Sequence, residues 1–268
     1  MKIITWNVNS VRARLGCISN VIKGECPDVL LLQEIKCMEN SFPFSFFEDM
    51  GFVCRVLGQK SYNGVAIVSK VSVEDVAMGL PSFPEDPSAR YIEAVVAGKI
   101  RIASLYVPNG GLIVNGESYV YKLNFLDKLA EHLLRINGYN EAIIIGGDYN
   151  IAPDNRDVYD EKIWHEKVCC TTKERHSLTN LKNIGFADVL ENFFDKDEGN
   201  RVKKRPFTWW DYKSKSSFAK NTGLRLDLFL ANEIATSIIE DVKVEASTRA
   251  MEKPSDHAPV IITTKEAS

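Results

Sequence analysis

Short apolar runs separated by polar turns extend along most of the chain and predict a mixture of strands and helices. Lys2–Val8 is predicted to be a strand, and Val29–Gln33 is a mostly apolar run typical of a strand covered on both faces. Between them, the spacing predicts a helix that Ser10 caps. The apolar face of this helix consists of Val11, Leu15, Ile18 and Ile22. The other predicted strands are Phe52–Leu57, Val65–Ser69, Arg90–Val96, Lys99–Val107, Ala142–Gly146, Pro206–Trp210, Arg225–Leu230, Ile239–Ala246 and Ala258–Thr263.

Three later segments are predicted to be helices. The longest is Tyr119–Ile136, and we expect His132 to lie on its surface. Its apolar face consists of Val120, Leu123, Leu126, Leu129 and Leu133. The other two helices are Lys173–Ile184 and Ala187–Phe194, and Gly185 separates them.

The order of these elements favours one domain over residues 1–268. No internal repeat, low-complexity tract or clear linker divides the chain, and strands and helices are mixed throughout. We therefore predict an α+β fold in which two mixed sheets pack face to face with helices outside. This arrangement is a four-layer α/β/β/α sandwich.

The composition limits the compartments in which the protein could work. With 268 residues, 45% of them hydrophobic, the chain can bury a sizeable core. It has no run approaching the roughly 18–20 consecutive apolar residues of a membrane helix. Because Met1–Asn7 is already strand-like, we expect no signal peptide and a cytoplasmic protein that does not bind a membrane. The six cysteines form no Cys-x-x-Cys pair, which favours free thiols.

The charge is distributed unevenly along the chain. The net charge of −3 is unusual for a nucleic-acid-binding protein. Between Arg201 and Arg225, however, there are eight Lys and Arg residues and one acid, a local charge of +7 that leaves about −10 for the rest. The aromatic residues of this segment are Phe207, Trp209, Trp210, Tyr212 and Phe218. We interpret the segment as a strip for phosphates and an exposed sugar or base, with about half of its aromatic side chains filling the core instead.

Polar residues stand at or beside the ends of four predicted strands and inside a fifth. They are Asn7, Glu34, Asp148 with Asn150, Asp227, and Asp256 with His257. Asp and Asn are poor strand formers, and a buried charge is costly unless it is paired or binds a metal. If these strand ends converge on one rim, they supply the oxygen ligands that Mg²⁺ prefers, with Mn²⁺ as a substitute.

Each of these features has an ordinary interpretation when it is taken alone. Glu34 could be a surface residue, Gly-Gly-Asp-x-Asn a turn, and Ser-Asp-His a loop or a helix start. Their combination, each beside a strand, favours a metal site that neutralises a phosphodiester and its transition state. A second group lies close together in sequence but matches no common zinc motif, so we interpret it as core or loop. Its members are His165, Cys169, Cys170 and His176.

Seven motifs occur along the chain: Trp6–Arg14, Leu32–Lys36, Tyr106–Gly110, Gly147–Pro153, Thr208–Tyr212, Gly223–Asp227 and Ser255–Pro259. They resemble the exonuclease III/abasic endonuclease branch of the endonuclease–exonuclease–phosphatase superfamily. Together they span nearly the whole chain, and the resemblance implies the DNase I-like form of the predicted sandwich. Many members carry glycine where Ser10 stands, and some carry a basic residue where Leu112 stands.

The resemblance implies roles for the matched residues in phosphodiester hydrolysis. Asp148 matches the residue that orients or deprotonates the attacking water, and Asp227 matches a carboxylate on the histidine side. Tyr106 matches a tyrosine that contacts the phosphate or the leaving group. The implied catalytic residues are Tyr106, Asp148, Asn150, Asp227 and His257. The implied metal-binding residues are Asn7, Glu34, Asp148, Asn150, Asp256 and His257.

The resemblance also implies contacts with DNA. Trp209 and Leu224 would wall a pocket for a flipped-out abasic sugar, because an apolar pocket without room for a base selects a nucleotide that lacks one. Asn109 matches a phosphate contact. The other expected DNA contacts are Arg12, Lys36, Tyr62, Asn63, Arg90 and Arg225.

Taken together, these features imply a monomeric, Mg²⁺-dependent DNA-repair phosphodiesterase. Its substrates would be double-stranded DNA with abasic or 3′-blocked sites, cut 5′ to the abasic site, and it would also act as a 3′-to-5′ exonuclease. Two alternatives stay open: a phosphatase or lipid phosphodiesterase on the same scaffold, and a nucleic-acid-binding relative that has lost catalysis. The basic, tryptophan-bearing strip argues against the first, and the full set of polar strand-end residues argues against the second.

Overall fold

A computed structural model of the chain describes residues 1–195, 205–214 and 216–265. Part of the predicted basic strip, Arg201, Lys203, Lys204 and Lys215, lies outside the described residues. The strands are β1 (Lys2–Asn7), β2 (Val29–Gln33), β3 (Val53–Leu57), β4 (Val65–Ser69), β5 (Val73–Met78), β6 (Tyr91–Val96), β7 (Ile100–Tyr106), β8 (Ala142–Asp148), β9 (Phe186–Asp188), β10 (Asp227–Asn232), β11 (Ile239–Val244) and β12 (Val260–Thr264). The α-helices are α1 (Leu15–Glu25), α2 (Phe44–Glu48), α3 (Glu117–Asn137), α4 (Glu161–Trp164), α5 (Thr172–Asn183), α6 (Val189–Asp195) and α7 (Glu233–Ile238).

Two six-stranded sheets form the centre of the fold. Their strand orders are β11-β12-β1-β2-β4-β3 and β5-β6-β7-β8-β10-β9. Both sheets are mixed, because β1 pairs in parallel with β2, and β7 with β8, among antiparallel neighbours. One apolar cluster lies between the sheets, a second lies between the first sheet and α1 with α2, and a third lies between the second sheet and α3 with α5. The predicted four-layer sandwich is therefore confirmed.

The strands of both sheets are covered on two faces, as their apolar runs predicted. In β2, Leu31 points into the cluster between the sheets, whereas Leu30 and Leu32 pack against the outer helices. In β8, Ile144 faces the other sheet, and Ile145 faces α3. Successive side chains point to opposite faces of a strand, so only a continuous apolar run can fill both layers.

Two glycines near the end of β8, Gly146 and Gly147, leave space for neighbouring residues to pack directly against the strand backbone. A Cβ on Gly146 would lie 2.5 Å from the Phe229 ring and 2.8 Å from Leu31. A Cβ on Gly147 would lie 2.0 Å from the carbonyl oxygen of Leu105. Larger residues would displace the strand that ends in Asp148.

The turn after β1 differs from the prediction. Helix α1 begins at Leu15, its N-cap residue Arg14 makes no side-chain capping bond, and Ser10 has a left-handed φ of 87°. The prediction of Ser10 as a helix cap was wrong. Its N–H instead donates to the carbonyl oxygen of Glu34 at 2.7 Å, and Val11 N–H donates to Ile35, so this backbone continues the pairing with β2.

Other boundaries also differ. Strand β5 was not predicted, because its sequence VEDVAM places two acids on an edge strand. The prediction of a strand at Pro206–Trp210 was wrong, since among these residues only Trp209 pairs with other segments, and it does so through isolated bridges. Ala187–Phe194 divides into β9 and α6. Val120 was expected in the apolar face of α3 but is 56% exposed.

The prediction that His132 lies on the surface was wrong. The side chain is buried between α3 and β6, where Nε2 lies 2.7 Å from Oε2 of Glu93. Arg135 Nη2 donates to His132 Nδ1 at 2.9 Å. The helical spacing gave no sign of this burial because the carboxylate partner lies 39 residues away in the sequence.

Buried ion pairs attach the segment before β10 to the rest of the fold. Arg225 is fully buried, and it donates to Asp157 at 2.6 Å and to Asp188 at 2.7 Å. Asp157 also accepts from Arg205 at 2.9 Å. The expectation that Arg225 contacts DNA is therefore wrong, because its guanidinium is enclosed by carboxylates.

This network leads to a stability prediction. Asp157→Asn is expected to lower the free energy of unfolding by roughly 3–5 kcal/mol, because it leaves two buried guanidinium groups without their shared carboxylate. Asp75→Asn is the matched control: Asp75 pairs with Arg101, but its side chain is 70% exposed, so about 0–1 kcal/mol is expected. Urea unfolding of both variants measures the difference. Equal losses would show that the Asp157 pairs do not stabilise the fold.

Within the described ranges, no helix combines the length and apolar character needed to cross a bilayer.

All six cysteines are free thiols, as predicted.

Candidate active site

The register of the strands brings the predicted polar side chains to one rim. In the parallel pair β1–β2, Asn7 lies opposite Gln33, so Asn7 and Glu34 stand at adjacent strand ends. The parallel pair β7–β8 aligns Tyr106 with Asp148. These four residues therefore come from the carboxyl ends of strands in both sheets.

Two antiparallel strands complete the rim. Strand β10 places Asp227 opposite Asp148. Strand β12 runs antiparallel to β1, so the residues just before it, Asp256 and His257, lie near the end of β1. Trp6 Nε1 donates to the carbonyl oxygen of His257 at 3.0 Å and fixes this turn.

Three side chains form the centre of the rim. Glu34, Asp148 and His257 each offer one ligand atom, and these atoms all lie within 4.8 Å of one another. Asn7 connects the two carboxylates, because its Nδ2 donates to Glu34 at 2.8 Å and to Asp148 at 2.9 Å. His257 Nε2 lies 3.7 Å from Asp148 Oδ2.

The imidazole of His257 is oriented by Asp227. Its Nδ1 lies 2.8 Å from Asp227 Oδ2, and both residues are buried. Burial disfavours the charged imidazolium, but the carboxylates of Asp227 and Asp148 outweigh this effect and raise the pKa of His257. The charged imidazolium thus carries a proton on Nε2, the nitrogen nearer Asp148.

The same surroundings also raise the pKa of Asp148, which favours the neutral form of this carboxyl group. Burial raises the pKa of Asp148, the negative charge of Asp227 raises it further, and His257 opposes both. Two N–H donors hold its oxygens in addition: Asn7 Nδ2 on Oδ2, and the backbone N–H of Asn150 on Oδ1 at 2.9 Å. Asp148 is therefore a fixed carboxylate with raised basicity.

Glu34 lies at the more polar side of the rim. Burial favours its neutral form, but Lys36, whose Nζ lies 2.6 Å from Oε2, and the bond from Asn7 lower the pKa of Glu34. Burial raises the pKa of the nearby Tyr106 well above its usual value, and the charges of Glu34 and Asp148 add to this effect. Tyr106 consequently keeps its hydroxyl proton at neutral pH.

These residues fit a hard divalent cation. Two carboxylates and an imidazole converge, and carboxylate oxygens are preferred ligands of Mg²⁺ and Mn²⁺. Oδ1 of the buried Asp227 has no hydrogen-bond partner among the described residues. Lys36 already places a positive charge against Glu34. Four carboxylates, those of Glu34, Asp148, Asp227 and Asp256, nevertheless face only two cationic side chains at the rim, Lys36 and His257, so a metal ion would neutralise the remaining negative charge.

Three expected ligands occupy other positions in this centre. Asn7 and Asn150 contact the carboxylates through their amide nitrogens, and Asn150 Oδ1 accepts from Asn109 Nδ2 at 3.0 Å. The oxygens of Asp256 accept from Asn9 at 2.9 Å and from Trp209 at 3.2 Å. In this structure these residues support the rim, and ligation by any of them stays a prediction.

Asn9 is a member of the rim that the sequence did not identify. Its Nδ2 donates to Asp256, and its Oδ1 accepts from Lys36 at 2.5 Å. Asn9 has a left-handed φ of 45°, which asparagine tolerates better than most residues. The sequence did contain a signal for Asn9, since it is a second asparagine two residues after Asn7. The backbone N–H of Asn9 donates to Asn7 Oδ1 at 3.1 Å, so the two residues lie together at the end of β1.

The residues expected to contact DNA are divided between the rim and the interior. Trp209 is partly buried and borders the rim through its bond to Asp256, whereas Leu224 is 1% exposed and packs beneath it. Leu224 therefore supports Trp209 and does not line an open pocket. In the rest of the predicted strip, Phe207 and Trp210 are buried, and Tyr212 is exposed.

The other expected DNA contacts lie at the surface, within hydrogen bonds, or next to a residue of the rim. Arg12 is exposed, and Tyr62 is 70% exposed. Asn63 donates to Gln59 Oε1 at 2.9 Å. The Arg90 guanidinium lies 4.9 Å from the centre of the Tyr106 ring, which places a positive charge next to the rim. Their contacts with DNA stay predictions.

The second titratable group does not form a metal cluster. Cys169 and Cys170 are buried, and the only group of metal-ligand type found among the described residues is the one at the rim. The interpretation as core or loop holds for the two cysteines and for His165, which lies in an exposed turn, but it was wrong for His176, which lies on the exposed face of α5.

Comparisons with known proteins identify relatives that match nearly the whole chain in sequence and fold. Residues 4–257 match the Endonuclease/Exonuclease/phosphatase family. Exodeoxyribonuclease III of Haemophilus influenzae is 32% identical over 269 residues, covering 97% of this chain and 98% of the relative. The structure of the 3′ phosphatase NExo from Neisseria, bound to a product DNA hairpin, superposes with a TM-score of 0.92 at 37% identity, covering 99% of this chain and 100% of that one. The structure of an AP endonuclease from Archaeoglobus fulgidus superposes with a TM-score of 0.91 at 34% identity, covering 99% of this chain and 100% of that one.

The match in sequence extends over nearly the whole chain, and the match in fold includes both sheets. Since sequence and fold agree to this extent, the chain belongs to the endonuclease/exonuclease/phosphatase family, in the branch of exonuclease III and the AP endonucleases.

Proposed function

We propose that this protein is a Mg²⁺-dependent DNA-repair phosphodiesterase that cleaves duplex DNA 5′ to abasic sites and removes nucleotides and blocking groups from 3′ ends. The observation that carries the proposal is the convergence of Glu34, Asp148 and His257 at one rim. The relatives support DNA as the substrate, because they include an exodeoxyribonuclease, an AP endonuclease and an enzyme bound to a DNA hairpin.

Glu34 and Asp148 are the carboxylates that would hold the metal ion. When bound, Mg²⁺ supplies positive charge that neutralises the phosphate and the charge of its transition state. Mn²⁺ would suit the same oxygen-rich site.

Asp148 is the residue best placed to orient and deprotonate the attacking water. Its raised pKa makes it a stronger base than an exposed aspartate, and a base works best when its pKa lies near the working pH. Asn7 and Asn150 hold its two oxygens, so the carboxylate presents one orientation to the water.

His257 and Tyr106 supply protons at the rim. The His257 imidazolium, oriented by Asp227, would donate Nε2–H to a non-bridging phosphate oxygen, where negative charge develops. The Tyr106 hydroxyl, which stays protonated, would donate to the phosphate or to the leaving 3′-oxygen. The three polar side chains thus divide the tasks of activating water, stabilising charge and assisting the leaving group.

Trp209 is the residue we expect to recognise an abasic nucleotide. Its ring borders the rim and is held by Asp256 from one side and by the buried Leu224 from beneath. An aromatic wall close to the scissile phosphate accommodates a sugar without a base and excludes one that carries a base. Arg12, Tyr62 and Arg90 would contact the DNA backbone around it.

We further infer that one chain, folded as a single domain, suffices for catalysis. Both sheets contribute residues to the rim, and each residue assigned a role belongs to this chain. A monomer is therefore the expected active species.

The proposal is tested with a duplex that contains one synthetic abasic site. In Mg²⁺, the labelled strand is expected to be cut 5′ to the site, and EDTA is expected to abolish the product. A duplex with a 3′-phosphate tests end cleaning, and an undamaged duplex is the control. Absence of Mg²⁺-dependent products from both damaged substrates, with turnover of inositol phosphates instead, would replace the nuclease by a phosphatase.

A further inference from the structure

A buried lysine lies behind the two loops that carry Asn109 and Asn150. Lys122 on α3 is 0% exposed. Its Nζ donates to the carbonyl oxygen of Asn150 at 2.7 Å and to that of Asn109 at 3.3 Å. The same ammonium forms an ion pair with Glu174 on α5, whose side chain is also 0% exposed.

Glu174 is fully engaged in this interior position. Its Oε1 accepts from Lys122 and from the backbone N–H of Cys169 at 3.0 Å. Its Oε2 accepts from the N–H of Thr171 at 3.0 Å and from the Thr171 hydroxyl at 2.8 Å. Buried ion pairs seldom stabilise a fold more than well-packed apolar residues do. Stability alone therefore does not account for a lysine at this position, whereas its bonds to two loop carbonyls do.

The two carbonyls belong to residues whose side chains meet at the rim. Asn109 Nδ2 donates to Asn150 Oδ1 at 3.0 Å, and Asn150 contacts Asp148 through its backbone N–H at 2.9 Å and its Nδ2 at 3.3 Å. Asn150 has a left-handed φ of 50°, which asparagine tolerates, and hydrogen bonds to its side chain, its N–H and its carbonyl oxygen hold it in place. Lys122 supplies one of the bonds that fix it.

Gly110 lets the first loop close over the lysine. It has a φ of 92°, and a Cβ added there would lie 3.0 Å from Cδ of Lys122 and 3.1 Å from Val168. The loop thus rests on the methylene stem of Lys122 while the ammonium binds the carbonyl groups.

We propose that the Lys122–Glu174 pair is a positioning device for hydrolysis: it fixes Asn109 and Asn150 and, through Asn150, the Asp148 carboxylate. The inference rests on the proposed function and extends it to residues that touch no substrate. Because Lys122 is completely buried, its removal is expected to change the orientation of Asp148 and of Asn109, while the other expected DNA contacts keep their places.

The first test is Lys122→Met, which keeps an unbranched side chain one atom shorter than lysine and removes its three donors. We expect kcat on the abasic duplex to fall about 10–100-fold, since a misplacement of about 1 Å can cost on the order of 10² in rate. KM for DNA is expected to change less than kcat, because Asn109 is the only expected phosphate contact that the substitution displaces. Hydrogen exchange is expected to become faster in peptides covering residues 107–111 and 149–152.

A double variant separates positioning from stability. Lys122→Met leaves the Glu174 carboxylate buried without its cation, which is destabilising by itself. Adding Glu174→Gln removes that charge, so the melting temperature is expected to recover while kcat stays low. If kcat recovered together with the melting temperature, the pair would be purely structural and the proposal would be overturned.

The matched control is His132→Met on the same helix. His132 is also buried and paired with a carboxylate, Glu93, but it makes no contact with either loop. Its kcat and the exchange of both loop peptides are expected to stay within twofold of the parent. A loss of kcat as large as that of Lys122→Met would show that any buried polar substitution in α3 has this effect.

Failure of the positioning proposal can be told apart from failure of the proposed function by measuring the activity of the parent enzyme and hydrogen exchange in the variant. If the parent does not cut DNA in Mg²⁺, the proposed function fails. If the parent cuts DNA but exchange in the two loops of the Lys122 variant is unchanged, the positioning proposal alone fails.

Discussion

Asp148→Asn is expected to lower kcat for incision at an abasic site by about 10²–10⁴-fold, because an amide cannot take a proton from water. The substitution preserves the shape of a side chain that is 1% exposed, so the fold should be retained. Single-turnover rates over a range of Mg²⁺ concentrations measure the effect. Affinity for DNA, measured by fluorescence anisotropy, should change little, since Asp148 carries negative charge and attracts no phosphate.

Asp241→Asn on the exposed face of β11 is the matched control, because Asp241 pairs with Thr263 at the end of β12 that lies away from the rim, and no loss of rate is expected. Two results would contradict the assignment of Asp148. A loss smaller than tenfold would show that another group activates the water. Full recovery at high Mg²⁺ would show that Asp148 acts only by holding the metal ion.

The outline of this site could be predicted from the sequence because each polar residue directly follows or precedes an apolar strand. Glu34 after β2 and Asp148 at the end of β8 are local signals, and the carboxyl ends of parallel strands meet at one edge. The order of the strands, and therefore the meeting of Glu34 with His257, depends on pairing between residues more than 200 positions apart. For that reason the motif order of a family was needed to place them together.

Buried charges were the least predictable part of the molecule. The spacing of the predicted helices and strands is compatible with exposure of Arg225, His132 and Lys122. Each of these side chains is nevertheless buried and pairs with a carboxylate from a distant segment. A basic residue within a basic segment favours a surface location by composition alone. Only the positions of Asp188, Glu93 and Glu174 in three dimensions reverse that expectation, so the predicted basic strip contained residues that in fact hold the fold together.

The amide side chains show a similar limit. Asn7 and Asn150 were expected to present oxygens to a metal, yet their nitrogens donate to the carboxylates. Sequence identifies a side chain but not which of its two polar atoms faces the centre. The rim therefore depends on neutral donors that keep Glu34 and Asp148 close together in spite of their like charges.

Glu34→Gln is expected to weaken binding of Mg²⁺ and Mn²⁺ by at least about 10–100-fold, the loss that even indirect support of a metal site can cause. Of the three central side chains, Glu34 is the carboxylate with a lowered pKa, so it is charged at neutral pH and available to a cation. Its loss also frees Lys36, whose ammonium then faces the incoming metal without a neutralising partner. Both effects reduce the attraction for a divalent cation.

Calorimetric titration with Mn²⁺ measures the affinity directly, without depending on activity. Glu39→Gln, at an exposed acid five residues later, is the control and should leave the affinity unchanged. In contrast to Asp148→Asn, saturating metal should restore part of the incision rate of Glu34→Gln, because the water-activating carboxylate is still present. Unaltered metal affinity in Glu34→Gln would mean that the cation is held elsewhere on the rim, and the role of the Glu34, Asp148 and His257 group would have to be reassigned.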